Sequence, residues 1–255
     1  MAARAIWKGA ISFEGFRQPI KLYSAIEDRS VHFHLLHDND FVRLKQRMAN
    51  PDSGKTVAYE DSRRGFEVEP GVLVVFDDDD LVDLEPPASR EVEILSFIDG
   101  AALGHRWYDR PYWLGPDGRA ETYFALSDVL AHGNLAGIAR WVMRKKRYVG
   151  ALIPRDGYLA LVTLRHFGDV IEVDAFEAPS GRALEKNELD LAGKLISALE
   201  SDFEPDDFRD EHRDRVMALI EAKRKGETVE VNACEEPVPS ESLEESLRAS
   251  LTAAR

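Results

Sequence analysis

Residues 137–166 constrain the fold most, because three apolar segments rich in β-branched and aromatic residues follow one another closely. These segments are Gly137–Met143, Tyr148–Ile153 and Tyr158–His166, and the polar stretches Arg144–Arg147 and Pro154–Gly157 separate them. Short turns between such segments are typical of antiparallel hairpins. The pattern predicts a three-stranded meander, which favours a barrel or a curled sheet.

Segments upstream carry the same strand signal, broken at short intervals by turn residues. They are Ile6–Phe13, Pro19–Ala25, Val31–His37, Val72–Phe76 and Glu91–Ile98. Two short helices are predicted near Asp79–Leu84 and Glu121–Leu130, the second ending at Gly133. The predicted fold class is therefore mainly β with some α.

The periodicity becomes helical beyond about Leu184. One helix places four leucines along one face, namely Leu184, Leu191, Leu195 and Leu199. A second helix, marked by Phe208, Val216, Leu219 and Ile220, ends at Gly226 after a run of cations that suits a helix C-terminus. We therefore predict a β core over residues 1–180, a helical arm over 181–227, and a linker with a short amphipathic helix over 228–255.

Charge is distributed unevenly along this acidic chain. The net charge is −14, yet residues 136–168 carry seven Lys and Arg against one Asp, and five of those cations lie between Arg140 and Arg147. A basic surface on an otherwise acidic protein confines the binding of polyanions to one place. The alternative is a solvated basic hairpin without a binding role.

Two basic ridges are predicted from strand alternation. In one, Arg43, Lys45 and Arg47 share a face. In the other, Arg140, Arg144 and Lys146 share a face, and Trp141 and Met143 point the opposite way as core residues. Neither ridge carries the aromatic spacing of a single-strand platform or a recognition helix, so contacts with phosphates are favoured over reading of bases.

Catalytic and metal-binding patterns are weak. His32, His34 and His37 lie close together in sequence, and Asp77–Asp80 is a run of four carboxylates, but strand histidines and a helix N-cap explain both without a metal. No metal or other cofactor is assigned. The single cysteine, Cys234, lies in an acidic stretch that disfavours a reactive thiolate. A signal peptide and a membrane span are not expected.

Several longer segments together resemble the bacterial Ku family of DNA-end-binding proteins. They are AIWKGAISF, PIKLYSA, HFHLLHD, WYDRPYWLGPDG, IARWVMRKKRYVGALIPRDG, LVTLRH and the stretch from ELDLAGKLISALESDF to EAKRKGE. Their order and spacing are similar to those of that family over almost the whole chain. The EGFRQPI stretch departs from the family pattern, and the lysine-rich tail of some members is missing from this sequence.

The resemblance implies a Ku-type β-barrel core with bridging segments and a helical C-terminal arm. It further implies a homodimer that closes a ring around double-stranded DNA ends without catalytic activity, in the bacterial cytoplasm and at the nucleoid. In that family the ATP-dependent ligase D is recruited for non-homologous end joining. By the same resemblance Arg140, Arg144 and Lys146 line the ring, with Arg43, Lys45 and Arg47 as companions.

Three questions stay open at this level. The face formed by Leu243, Leu247 and Leu251 either docks the ligase or packs on its own domain. A metal-dependent phosphoesterase using His32, His34, His37 and Asp77–Asp80 is the alternative enzymatic interpretation. An acidic interaction scaffold without affinity for DNA is the third.

Overall fold

The computed structural model describes residues 4–173 and 185–227, together with 176, 181 and 183. Leu184, Cys234 and the predicted terminal helix with Leu243, Leu247 and Leu251 lie outside the described residues. The chain divides into two compact units, one built from residues 1–28 and 34–175 and the other from residues 29–33 and 176–255.

The first unit is built on a barrel of seven strands. Neighbouring strands of the barrel follow the order β1, β2, β6, β9, β8, β7, β5 and back to β1. Strands β3 and β4 form a separate two-stranded sheet. The strands are β1 Trp7–Phe13, β2 Phe16–Ser24, β3 Arg64–Glu69, β4 Val72–Phe76, β5 Glu91–Asp99, β6 Tyr108–Pro116, β7 Leu135–Met143, β8 Lys146–Arg155 and β9 Tyr158–Leu164. The helices are α1 Asp78–Val82, α2 Ala120–His132, α3 Lys186–Leu199 and α4 Glu211–Lys225.

The barrel closes through one parallel pair, β1 with β5, in which Ala10 lies opposite Glu91. All other neighbouring strands of the barrel are antiparallel. Alternate side chains of every strand point into the interior, as the twofold period of a strand requires. The interior side chains include Ile11, Ile20, Leu22, Val92, Leu114, Trp141, Leu152 and Leu161. The predicted fold class and the predicted meander are confirmed.

Helix α2 closes the barrel at the end where β6 finishes and β7 begins. Tyr123, Leu126 and Leu130 on one face of α2 join the barrel core. The Tyr123 hydroxyl donates to the carbonyl of Leu114 and accepts from the amide of Leu159 at 2.8 Å. Burial raises the pKa of Tyr123 to about 12. One side chain therefore fixes α2 to two neighbouring strands, β6 and β9.

The predicted strand Val31–His37 is wrong. Residues 31–35 have no regular structure, and Leu36 makes only an isolated bridge with Arg43. The chain turns just beyond, where the amide of Phe41 donates to the carbonyl of His37. The alternation that placed His32 and His34 on one strand face does not apply here.

Two strands were missed from the sequence. Strand β6 contains Pro111 and Pro116, which suggest a turn, but Pro111 lies next to a bulge, where proline is tolerated within a sheet. Strand β3 alternates glutamates with Phe66 and Val68, and its charged residues hid the strand signal.

The second unit contains the two predicted C-terminal helices, which are confirmed. Helix α3 begins after a capping box between Glu185 and Glu188. Helix α4 ends at Gly226, whose φ of 77° is the left-handed conformation that glycine adopts most readily. The Arg213 side chain of α4 donates to the carbonyl of Arg29 at 2.9 Å, which ties residues 29–33 to this unit.

Replacing Tyr123 with phenylalanine tests how α2 is held. The variant leaves the Leu159 amide and the Leu114 carbonyl without this partner, and a buried unsatisfied group costs about 1–3 kcal/mol. We expect Tyr123→Phe to lower the free energy of unfolding by about that amount in urea titrations. Tyr158→Phe is the control, because Tyr158 is about half exposed and its hydroxyl bonds to no other described residue, so this variant should change the stability little.

Wild type and Tyr123→Phe together also test how stability depends on pH. Tyrosine in an unfolded chain has a pKa of about 10, so the folded protein holds the Tyr123 proton more tightly. This contribution to stability is complete below about pH 10 and is lost as the pH rises towards 12. The stability difference between wild type and Tyr123→Phe should shrink over that range, and a constant difference would contradict the assignment.

Candidate nucleic-acid interface

One end of the barrel, which we call the basic end, collects the candidate binding residues. It is the end at which β1, β5, β6 and β8 begin and β2, β7 and β9 finish, opposite the end that α2 closes. Residues 25–90 leave the barrel here after Ser24 and return here at Glu91. The β7–β8 hairpin turns at the same end. The sequence-predicted basic hairpin thus lies beside the returning root, residues 85–90, at the end where the excursion also departs.

The β7–β8 turn has two residues, Arg144 and Lys145, with φ of 51° and 64°. This conformation suits asparagine and glycine, and it costs other residues free energy. The next hairpin of the meander uses a favoured pair, Asp156 and Gly157, at φ of 51° and 78°. Two cations are therefore held in a turn that glycine would form at less cost. Backbone strain of this kind clusters at functional positions.

The predicted shared face of Arg140, Arg144 and Lys146 is wrong for Lys146. Because the turn contains only two residues, Met143 lies opposite Lys146 and Val142 lies opposite Arg147. Paired residues share a face of the sheet. Arg147 therefore points outward with Arg140, while Lys146 sits at the rim of the interior side with its ammonium 5.6 Å from the centre of the Tyr148 ring.

Sequence reasoning missed Arg110, Arg147 and Arg165, which also lie at the basic end. Arg110 lies 6.0 Å from the centre of the Tyr112 ring. Burial raises the pKa of Tyr112, and the positive charges of Arg110 and Arg144 act in the opposite direction. Arg165 donates to the carbonyl of Arg106 and is held against β6. Of these three arginines, only Arg147 could have been identified from the sequence, by assigning two residues to the β7–β8 turn in place of four.

Cations at the basic end fall into two groups by their partners. Arg140 Nη2 lies 2.7 Å from Glu93 Oε2, and Lys145 Nζ lies 3.0 Å from Glu85 Oε2. In the described part of the chain, no carboxylate forms an ion pair with Arg144, Lys146 or Arg147, and all three side chains are exposed. These three keep their full charge available for an anion.

A cavity of about 810 Å³ separates the hairpin turn from the returning chain. Its lining includes Lys8, Arg90, Arg144 and Lys145 on the cationic side and Glu85 on the anionic side. The cavity therefore carries a positive excess next to the strained turn. This charge suits an anionic ligand better than a neutral or cationic one.

The predicted ridge of Arg43, Lys45 and Arg47 lies in the excursion. The three residues are exposed, outside the named strands, and without an ion-pair partner among the residues that the structure describes. Only Arg43 takes part in a bridge, with Leu36. Their role in binding stays a prediction.

Lys8 and Lys21 differ from the hairpin cations, because one carboxylate engages both. Asp117 lies 3.2 Å from Lys8 and 2.8 Å from Lys21. Hydrogen bonds from Lys21 and Lys8 lower the pKa of Asp117, and the bond with Asp117 raises the pKa of Lys21. This cluster stabilises the outer faces of β1 and β2, so we do not count it among the candidate phosphate contacts.

The alternative metal site receives no support. Over residues 4–173, 185–227 and the three between them, no three His, Cys, Asp or Glu side chains gather in a group that could hold a metal ion. The Nδ1 atom of His37 instead lies 2.8 Å from Asp40, and Asp77 and Asp80 form a capping box at the start of α1. No helix in the described part of the chain is long and apolar enough to cross a bilayer.

Comparison with known proteins agrees with this geometry. The Ku70/Ku80 beta-barrel domain family matches residues 12–191. The chain belongs to the Ku family. The non-homologous end joining protein Ku of Anaeromyxobacter sp. (strain K) is 35% identical over 257 residues, which cover 99% of this chain and 86% of that protein.

Further Ku relatives come from distant organisms. The non-homologous end joining protein Ku of Archaeoglobus fulgidus is 34% identical over 99% of this chain and all of its own length. That of Mycobacterium tuberculosis is 31% identical over 88% of this chain and 84% of its own. The resemblance seen in the sequence is confirmed. The closed barrel of this chain corresponds to the beta-barrel domain of the matched family.

Proposed function

We propose that this Ku-family chain binds the ends of double-stranded DNA during non-homologous end joining, and that it does so without catalysing a reaction. The observation that carries the proposal is the strained basic turn at Arg144 and Lys145, which lies beside the segment that returns from the 25–90 excursion. The names of the relatives point to the same process.

Contacts with phosphates are the binding mode that these side chains favour. Arg144, Lys146 and Arg147 are exposed cations on a β-hairpin. Within the first unit, α2 lies at the opposite end of the barrel and α1 carries three aspartates and no cation, so neither helix offers a basic surface for reading base edges. Neutralising phosphates releases condensed counterions, so binding driven this way is independent of sequence and weakens as salt rises.

Replacing Arg144 and Arg147 with glutamine tests this interface. Each lost charge-assisted hydrogen bond costs about 1.5 kcal/mol, so the double variant should bind duplex DNA roughly 100-fold more weakly. Its salt dependence should also become shallower by about two counterions. Fluorescence anisotropy over a salt series measures both quantities.

Arg119→Gln with Arg155→Gln is the matched control for that experiment. Both arginines are exposed, have no ion-pair partner in the described residues, and lie at the barrel end that α2 closes. The control should keep the affinity of wild type within about threefold, as expected for cations outside the interface. Equal losses in both double variants would refute a localised interface.

We further propose that the chain forms a homodimer through the 25–90 excursion. The sheet of β3 and β4 is exposed on both faces, with Leu73 63% and Val75 62% exposed on one face and Phe66 64% exposed on the other. A two-stranded sheet is marginally stable by itself, and large exposed apolar patches mark interfaces. A second copy supplies the missing cover by twofold symmetry.

Introducing a charge into this sheet tests dimer formation. Val74→Glu buries a carboxylate in the proposed interface, so sedimentation equilibrium should give the mass of one 28.7 kDa chain in place of two. The control is Val129→Glu, because Val129 is 64% exposed on α2 and lies outside the excursion. An unchanged dimer in Val74→Glu would place the interface elsewhere.

Recruitment of an ATP-dependent ligase, ligase D, is proposed from the family resemblance and from the leucine spacing of the terminal segment. Replacing Leu243, Leu247 and Leu251 with serine should abolish stimulation of the ligase and leave DNA binding intact. Serine at Ala249, Ala253 and Ala254 is the matched control. Ligation assays with the purified ligase measure the effect, and normal stimulation by the leucine variant would refute the docking role.

A further inference from the structure

We propose that Glu85 and Glu93 set the affinity for DNA by holding cations of the interface in ion pairs that phosphates must displace, and that Glu91 adds negative charge beside them. This inference rests on the proposed function. It identifies carboxylates, in addition to the cations, as residues that determine the affinity for DNA. All three glutamates lie at or just before the start of β5, where the 25–90 excursion returns to the basic end.

Strand β5 positions two of these carboxylates between two arginines. Glu93 lies directly opposite Arg140 on β7, and Ser12 of β1 lies opposite both Glu93 and Arg17. Glu91 shares the outward face of β5 with Glu93, and its Oε1 accepts from Arg17 Nη2 at 2.9 Å. Glu93 accepts from Arg140 at 2.7 Å. The outer face of the barrel thus carries alternating charges beside the basic hairpin.

Glu85 reaches the turn of the hairpin from the excursion. Lys145 Nζ lies 3.1 Å from Oε1 and 3.0 Å from Oε2 of this carboxylate. Arg144, the other residue of the turn, has no such partner in the described part of the chain. One cation of the strained turn is therefore neutralised by the returning segment, and the other is left available.

Glu91 adds a further negative charge beside Glu93 on the outward face of β5. Its Oε2 atom is buried and has no hydrogen-bond partner in the described structure. Glu91 and Glu93 line a cavity of about 430 Å³ together with Arg140 and Arg147. A phosphate that approaches Arg147 through this cavity meets negative charge, which lowers the affinity of that site.

Ion pairs of this kind are easily exchanged. The side chains of Arg140 and Glu93 are both about half exposed, and exposed pairs contribute only about 0.2–1 kcal/mol. A row of phosphates therefore displaces the glutamates, whereas a single isolated anion gains little by doing so. Moderate affinity for the DNA backbone would also let a protein that encircles DNA slide along it. The encircling ring, and not tight contacts, would then keep the protein on the DNA.

Replacing Glu85 and Glu93 with glutamine tests the inference by a gain of affinity. The substitution keeps side-chain size and removes two competitors for Lys145 and Arg140. We expect linear duplex DNA to bind about 5- to 20-fold more tightly at a given salt concentration, with a salt dependence steeper by one to two counterions. Gain of binding cannot result from misfolding, so the expected change is specific.

Glu14→Gln with Glu121→Gln is the matched control, because it changes the net charge equally with exposed residues at the barrel end that α2 closes. It should stay within about twofold of wild type. An equal gain of affinity in both double variants, or no gain in Glu85→Gln with Glu93→Gln, overturns the inference. The proposed function still stands in that case if wild type binds the duplex. Failure of wild type to bind duplex at any salt overturns both.

Discussion

The parallel pairing of β1 with β5 is the contact on which the rest of the structure depends. It closes a barrel whose other neighbouring strands are all antiparallel. Closure pairs both edges of the seven-stranded sheet, so among the described strands only the small β3–β4 sheet keeps free edges. It also requires β5 to begin at the same end as β1, and so brings the chain back from residues 25–90 to the place it left.

That constraint decides where charge collects. The β7–β8 hairpin turns at the end where the excursion has its two roots, so Arg144 and Lys145 lie beside the returning residues 85–90. The same return brings Glu85 to Lys145 and Glu93 to Arg140. In the proposed function, both the attraction for a polyanion and its moderation would arise from this single topological feature. A strained turn of two cations is maintained there although a glycine turn serves the neighbouring hairpin.

The sequence predicts the fold well where local signals agree. The meander over β7, β8 and β9 was predictable because each apolar segment ends at turn residues, and α2 and α4 were predictable from their glycine ends. Strand β6 was not, since Pro111 and Pro116 suggest a turn while a bulge accommodates Pro111 within the barrel. The prediction that His32 and His34 share one face of a strand was wrong, because residues 31–35 pair with no strand in the described part of the chain.

The site was predictable only in part. The cluster from Arg140 to Arg147 is visible in the sequence, but its division between two faces depends on whether the turn has two residues or four. The pairing of Glu93 with Arg140 joins residues 47 positions apart, and only the register of β5 against β7 reveals it. Long-range register carries no local sequence signal, so the carboxylates of the interface could not be assigned before the structure.

The resemblance to the Ku family implies a ring that DNA can enter only at a free end, and a comparison of linear with circular DNA tests this proposal directly. The affinity of the purified protein for a linear duplex should be measured beside that for the same sequence as a relaxed, covalently closed circle, at several salt concentrations. Charge density is identical in the two forms, so phosphate contacts alone bind both equally. We expect the protein to bind the linear duplex and not the circle. Equal binding to both forms would contradict it.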